Sequence, residues 1–258
     1  MNLWEQLKDF FTDDLPEVAF KDEWITLLKS NLPLYERLPA KLRETLHEKV
    51  GQFIATTFFE GCGELELSDE MILTVAAQAC LLVIAHEGPP YPRLNTVLLY
   101  PSAFTTNHET VGPGGTIIQR EVKCLGESWD NGTVILAWDS VRHGATNIFD
   151  GHNVTFHEFA HQLDAMDGDT DGVPLLENEE AYQTWANVLG EHANDLIDRV
   201  QRGRKTVLDE YGATAPEEFF AVATEAFFEK PKQLKAKRPG LYEELQKFYR
   251  VDPESWLR

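Results

Sequence analysis

The run His157-Glu158-Phe159-Ala160-His161 puts two imidazoles and a carboxylate within five residues. Residues four apart share one face of an α-helix, so His157 and His161 can offer nitrogens to a single ion while Glu158 lies beside the same centre. Neutral imidazoles suit zinc, which acidifies a bound water toward neutral pH. An adjacent carboxylate can then take that water's proton and pass it to a leaving amine. The chemistry on offer is zinc-dependent peptide hydrolysis, with His157 and His161 as metal ligands and Glu158 as general base.

A catalytic zinc needs a third protein ligand and an open fourth position. Asp167 lies ten residues after His157, where one large class of zinc peptidases places its third ligand after a turning glycine. Here Asp164 occupies the turning position, which disfavours the bend. Glu218 and Glu225 both fall in the segment YGATAPEEFFAVATEAFF, Tyr211 to Phe228. The phenylalanines of that segment predict a buried helix, in which an unpaired carboxylate would be costly, so at least one of the two glutamates needs a partner. Glu217 and Glu229 read better as solvent-facing. Thr214 and Glu217 fit a capping box that starts this helix, with Pro216 tolerated in its first turn.

The elements that must position these groups follow from patterning. Val154, Phe156, Phe159, Ala160 and Leu163 surround the ligands with apolar residues, as a helix packed in a core requires. Residues from Trp4 to about Val50 show helical spacing, and QFIATTFFE reads as a strand. Ser68 caps a buried helix over the apolar run Met71 to Ala85, which is shorter than the roughly 20 residues a membrane span needs. From Asn95 the chain turns to β-rich runs, NTVLLYPSAF, TIIQREV and TVILAW, and after Asp150 it is helical again. The expected fold is α+β: a mainly helical single domain with a small sheet and a zincin-like active-site helix. Residues 1–258 form one metallopeptidase domain, with 1–90 a helical part and 91–258 the zincin-like catalytic part. The turn-rich loop from Asp164 to Pro174 and the carboxyl tail are candidates for covering the site.

The 43 acidic against 23 basic side chains give a net charge of −20, which argues against direct nucleic-acid binding and against anionic membranes. The clusters RVQRGRK (Arg199 to Lys205) and KPKQLKAKR (Lys230 to Arg238) qualify that balance and read first as solvated helix ends. Cys62, Cys80 and Cys124 lack paired spacing and read as reduced, mostly buried thiols. With no basic-then-apolar leader pattern at the amino terminus, the expected location is the cytoplasm.

Two segments, DGHNVTFHEFAHQLDAMDG (Asp150 to Gly168) and YGATAPEEFFAVATEAFF, together with VLLYPSAF, GESWDNGTVILAWDSV and LPLYERLPAKLRETL, make the chain resemble the Mlc titration factor A family of zinc peptidases. That family is related to the catalytic domain of anthrax lethal factor. The resemblance spans most of the chain. It implies one zinc ion held by His157, His161 and Glu218, with Glu158 as base, Tyr211 as donor to the developing oxyanion, and Glu225 behind a histidine. It also implies aminopeptidase activity on short peptides and binding of an Mlc-type repressor. The alternative is a regulatory binding protein whose zinc site is catalytically marginal.

Overall fold

The structure is a computed structural model that describes residues 16–111, 117–129 and 132–257. The part of the amino-terminal helical expectation that covers residues 1–15 lies outside them. The remainder forms α1 (Asp22–Asn31), α2 (Pro33–Arg37) and α3 (Ala40–Thr56). The run QFIATTFFE divides instead of forming one strand. Its first half stays helical, with the Thr56 hydroxyl donating to the Gln52 carbonyl, and only β1 (Phe58–Gly61) is extended.

Ser68 caps α4 (Asp69–Leu82) by accepting from the Met71 amide at 3.3 Å, and ten consecutive residues, Leu73 to Leu82, are buried. Helix α4 carries the chain from β1 to β2 (Thr96–Tyr100), which runs parallel to it. A hairpin of β3 (Phe104–Val111) and β4 (Ile117–Cys124) follows. Next come β5 (Gly126–Trp129) and β6 (Thr133–Ala137). The main sheet has the order β1-β2-β6-β5, with β6 parallel to β2 and β5 antiparallel at the edge. The fold is therefore α+β and mainly helical, as expected.

Helix α5 (Trp138–Thr146) has no counterpart in the sequence reading. Strand β6 stops at Ala137, and the helix starts at once with no side chain capping it, so neither a turn nor a cap marks the change. Helices α6 (Val154–Asp164), α7 (Glu179–Gln201), α8 (Pro216–Glu229), α9 (Pro231–Lys237) and α10 (Pro239–Tyr249) complete the molecule, with 3-10 turns at Glu210–Ala213 and Pro253–Leu257. No helix among the described residues is long and apolar enough to cross a membrane.

Helix α6 lies between the sheet and α8. Phe159 meets Phe53 and Tyr91 on one side, with ring centroids 5.7 and 4.9 Å away, and Phe156 meets Phe228 on the other at 5.3 Å. Truncating either α6 phenylalanine, both fully buried, would cost about 3–5 kcal/mol. Helix α8 is buried continuously from Phe219 to Glu229, so its two ends are fixed relative to α6.

Glu229 corrects the expectation that it faces solvent: it is 1% exposed. Its Oε2 accepts from the Gly151 amide at 2.9 Å and its Oε1 from Asn153 Nδ2 at 3.1 Å. Burial raises its carboxyl to about 8, with the nearby Glu225 adding to the shift. Because the folded value lies above the unfolded one, its contribution to stability is whole below about 4.3 and is lost as pH rises toward 8. Chemical denaturation across that window should show a slope of at most about 1.4 kcal/mol per pH unit from this group. Glu229→Gln should flatten that slope, and an unchanged slope would refute the assignment.

Candidate metal centre

The start of α6 is set by Asn153, whose side-chain oxygen accepts from the Phe156 amide at 3.0 Å. His157 closes the first helical turn after that cap, Glu158 opens the second, and His161 lies one turn on from His157. The start of α8 is built differently from the expected capping box. Ala215 stands at the cap with Pro216 first in the helix. The Thr214 hydroxyl instead donates to the Tyr211 carbonyl at 2.6 Å, closing the 3-10 turn that presents Tyr211. Thr214 stands one residue before the cap position, which Ala215 occupies, and the helix has no side-chain cap.

His157, His161 and Glu218 each offer one ligand atom, and these atoms lie within 4.8 Å of one another. Glu218 Oε2 is 2.9 Å from His157 Nε2 and 3.5 Å from His161 Nε2. Tyr211, half exposed, directs its hydroxyl at Glu218 Oε1 from 3.3 Å. Asp167 stays apart: it is exposed, and its carboxylate accepts from the Asp169 amide within its own loop. Glu225 sits behind His157, with Oε1 2.8 Å from Nδ1 and Oε2 accepting from the Asn153 amide at 2.5 Å. Both of its oxygens are thus engaged away from the Nε2 atoms.

The donor set fits a divalent cation. Burial alone would hold His157 neutral, but hydrogen bonds to Glu218 and Glu225 push it well above the ordinary histidine range. Burial opposes ionisation of Glu218 as well, yet the two histidines hold it well below the usual carboxylate range. The pocket is therefore arranged around positive charge, and Glu225 fixes the His157 ring so that Nε2 points at the common centre. The buried His161 Nδ1 has no hydrogen-bond partner among the described residues, so that ring is oriented by packing and by the contact of its Nε2 with Glu218.

Glu158 is 6% exposed, and burial, with Glu218 and Glu225 adding to it, outweighs the two histidines and raises its carboxyl to about 7. Partial burial, reinforced by Glu218, pushes the Tyr211 phenol up to about 12, which keeps its proton available for donation.

Sequence reasoning missed Gly126. A Cβ there would meet Glu158 Cγ and Oε1 at 2.6 Å and Val154 Cγ2 at 2.7 Å, so edge strand β5 can approach Glu158 only without a side chain. Gly126→Ala should displace the Glu158 carboxylate and lower kcat by about 10²-fold while metal content is kept. Steady-state kinetics beside elemental analysis checks this, and wild-type kcat would show that Glu158 tolerates the shift. Asn153, also missed, was open to recognition as an N-cap, because it directly precedes the apolar helix.

The loop after α6 is braced and does not hang free. Asp164 accepts from the Gly172 amide at 2.8 Å, Trp185 donates to the Gly172 carbonyl at 3.0 Å, and Arg93 donates to the carbonyls of Ala165 and Met166. Gly172, at φ +82°, packs so closely on Pro216 that a Cβ would lie 2.5 Å from its carbonyl oxygen. The carboxyl tail packs at the other end of α8 from Glu218, with Trp256 against Phe228.

With this geometry in place, comparison with known proteins is decisive. The sequence signature of the glucose-regulated metallo-peptidase M90 family matches residues 5–250. The chain belongs to the M90 family. It is 40% identical to the uncharacterized protein slr2042 of Synechocystis sp., over 97% of this chain and 89% of that one. It is 30% identical to Mlc titration factor A of Pectobacterium atrosepticum, over 94% of this chain and 91% of the relative. The same figure holds for Mlc titration factor A of Serratia proteamaculans, over 94% and 92%. Membership in M90 gives the chain a metallopeptidase role and implies a divalent metal, for which the His157, His161 and Glu218 group is a fitting site.

Proposed function

We propose that the chain is a zinc-dependent aminopeptidase of the cytoplasm. In this reading His157, His161 and Glu218 hold one zinc ion per chain, Glu158 is the general base and Tyr211 stabilises the oxyanion. Residues 1–258 form one domain, with 1–90 its helical part and 91–258 its zincin-like catalytic part. The observation that carries the reading is the convergence of two histidine nitrogens and one carboxylate oxygen within 4.8 Å, beside a buried glutamate.

When bound, zinc supplies a Lewis acid that acidifies water and polarises the scissile carbonyl. Glu158 receives the proton of the attacking water. Its raised value, about 7, suits a group that must accept and then release a proton near neutrality. It then delivers that proton to the leaving amine. Tyr211 donates its hydroxyl hydrogen to the carbonyl oxygen as negative charge grows there. Three free thiols support the cytoplasmic assignment. Binding of an Mlc-type repressor is supported by the name Mlc titration factor A, which relatives at 30% identity bear, while aminopeptidase specificity is what the resemblance of the sequence motifs to that family implies.

The test is elemental analysis of purified protein together with a panel of chromogenic aminoacyl substrates, free and N-acetylated. One zinc per chain with cleavage of the free substrates alone is the expected result. Cleavage of blocked substrates would move the assignment to an endopeptidase. Zinc without any hydrolysis would favour the regulatory binding protein.

A further inference from the structure

The two basic clusters, separate in sequence, meet in space. Arg199 near the end of α7, Lys205 in the following loop, Lys230 between α8 and α9, and Lys237 and Arg238 at the end of α9 line one cavity of about 680 Å³. Arg238 is 4% exposed and locked: one amino group donates to the His192 carbonyl at 3.1 Å, the other to Asp195 at 2.8 Å. Asp195 also accepts from Arg199 at 2.7 Å, so its charge is shared between two guanidinium groups. Lys205, Lys230 and Lys237 form no ion pair among the described residues, and Glu191 is the other carboxylate at the cavity wall.

Three ammonium groups without an ion pair around one concavity give it a local excess of positive charge, screened by solvent at the exposed Lys205 and Lys237, that an anion would offset. In a chain of net charge −20 such a convergence is not a consequence of general basicity. The buried Arg238, paired with the partly exposed Asp195 that it shares with Arg199, anchors one wall of the cavity, and the lysines supply point charges at its rim. Its volume lies within the range of small-molecule sites and exceeds what a bare phosphate needs. The cavity is also separate from the metal centre, since none of His157, His161 and Glu218 lines it.

We propose that this cavity binds a phosphate group carried by a small organic molecule, with Lys205, Lys230 and Lys237 contacting the phosphate oxygens. The groove adjoins the catalytic frame, because the Lys230 side chain packs on Gly151 in the turn before α6, the glycine whose amide Glu229 holds. Ligand binding should therefore raise the thermal midpoint of the whole chain.

Isothermal titration of the purified full chain with glycerol phosphate, and separately with inorganic phosphate, tests the site. Saturable binding that weakens steeply with salt is expected, falling about tenfold or more in Lys205→Ala/Lys237→Ala, two exposed positions whose truncation spares the core. Tighter binding of the ester than of inorganic phosphate would show that the organic part is recognised, and equal affinity would identify free phosphate as the ligand. Binding should persist in Glu218→Ala, which separates this inference from the peptidase reading. No saturable binding of either compound, or unchanged affinity in the double lysine variant, would overturn it.

Discussion

Glu158→Gln is expected to keep its metal and to lose hydrolysis, with kcat reduced by about 10²- to 10⁴-fold, the range a positioned general base contributes. The substitution preserves shape in a tight place. Gly126 lies against the Glu158 side chain, and an amide of equal size fits there without displacing β5. What changes is the ability to accept a proton. His157 and His161 keep their geometry, because Glu225 and helix packing hold the rings, not Glu158. Elemental analysis beside the kinetics separates the two effects. Substantial turnover in this variant would remove Glu158 from the role of base.

Glu218→Ala is expected to lose both metal and activity. Its Oε2 is the atom that approaches both Nε2 atoms, at 2.9 and 3.5 Å, and no other carboxylate among the described residues completes the group. Two imidazoles alone would hold the ion weakly, so zinc content after dialysis should fall from about one per chain to a small fraction. Because Glu218 sits in the first turn of α8, where a negative charge favours the helix, the variant should also lose up to about 1 kcal/mol of stability in the metal-free protein. Circular dichroism would show the fold intact. Retention of zinc would require Glu225 to abandon both His157 Nδ1 and the Asn153 amide, or Asp167 to leave its exposed loop.

The sequence made the centre of the site legible because the i, i+4 spacing of His157 and His161 is a statement about helix geometry that needs no tertiary information. Glu218 was harder. Its nearness to the histidines depends on how α8 crosses α6, and the phenylalanines of α8 announce burial without saying against what. Glu229 was misread for the same reason: its partners, Gly151 and Asn153, lie more than 70 residues away. Gly126 carries no side chain and therefore no pattern. Its role exists only once β5 is laid beside α6. Helix α5 went unseen because a strand passes into it without any turn former, and QFIATTFFE was misassigned because β-rich composition yields to a helix already under way.

Asn153 joins the two helices through one residue. Its amide and side chain are held by Glu225 and Glu229 of α8, while its own oxygen caps α6 at Phe156. The same Glu225 carboxylate steadies His157. Fraying of the first turn of α6 would therefore free the His157 ring and break the tie to α8 in a single step. An ion that binds His157 only in the capped state would favour that state by an amount that grows with its concentration relative to its dissociation constant, so metal occupancy and the order of this helix end would be linked through one equilibrium.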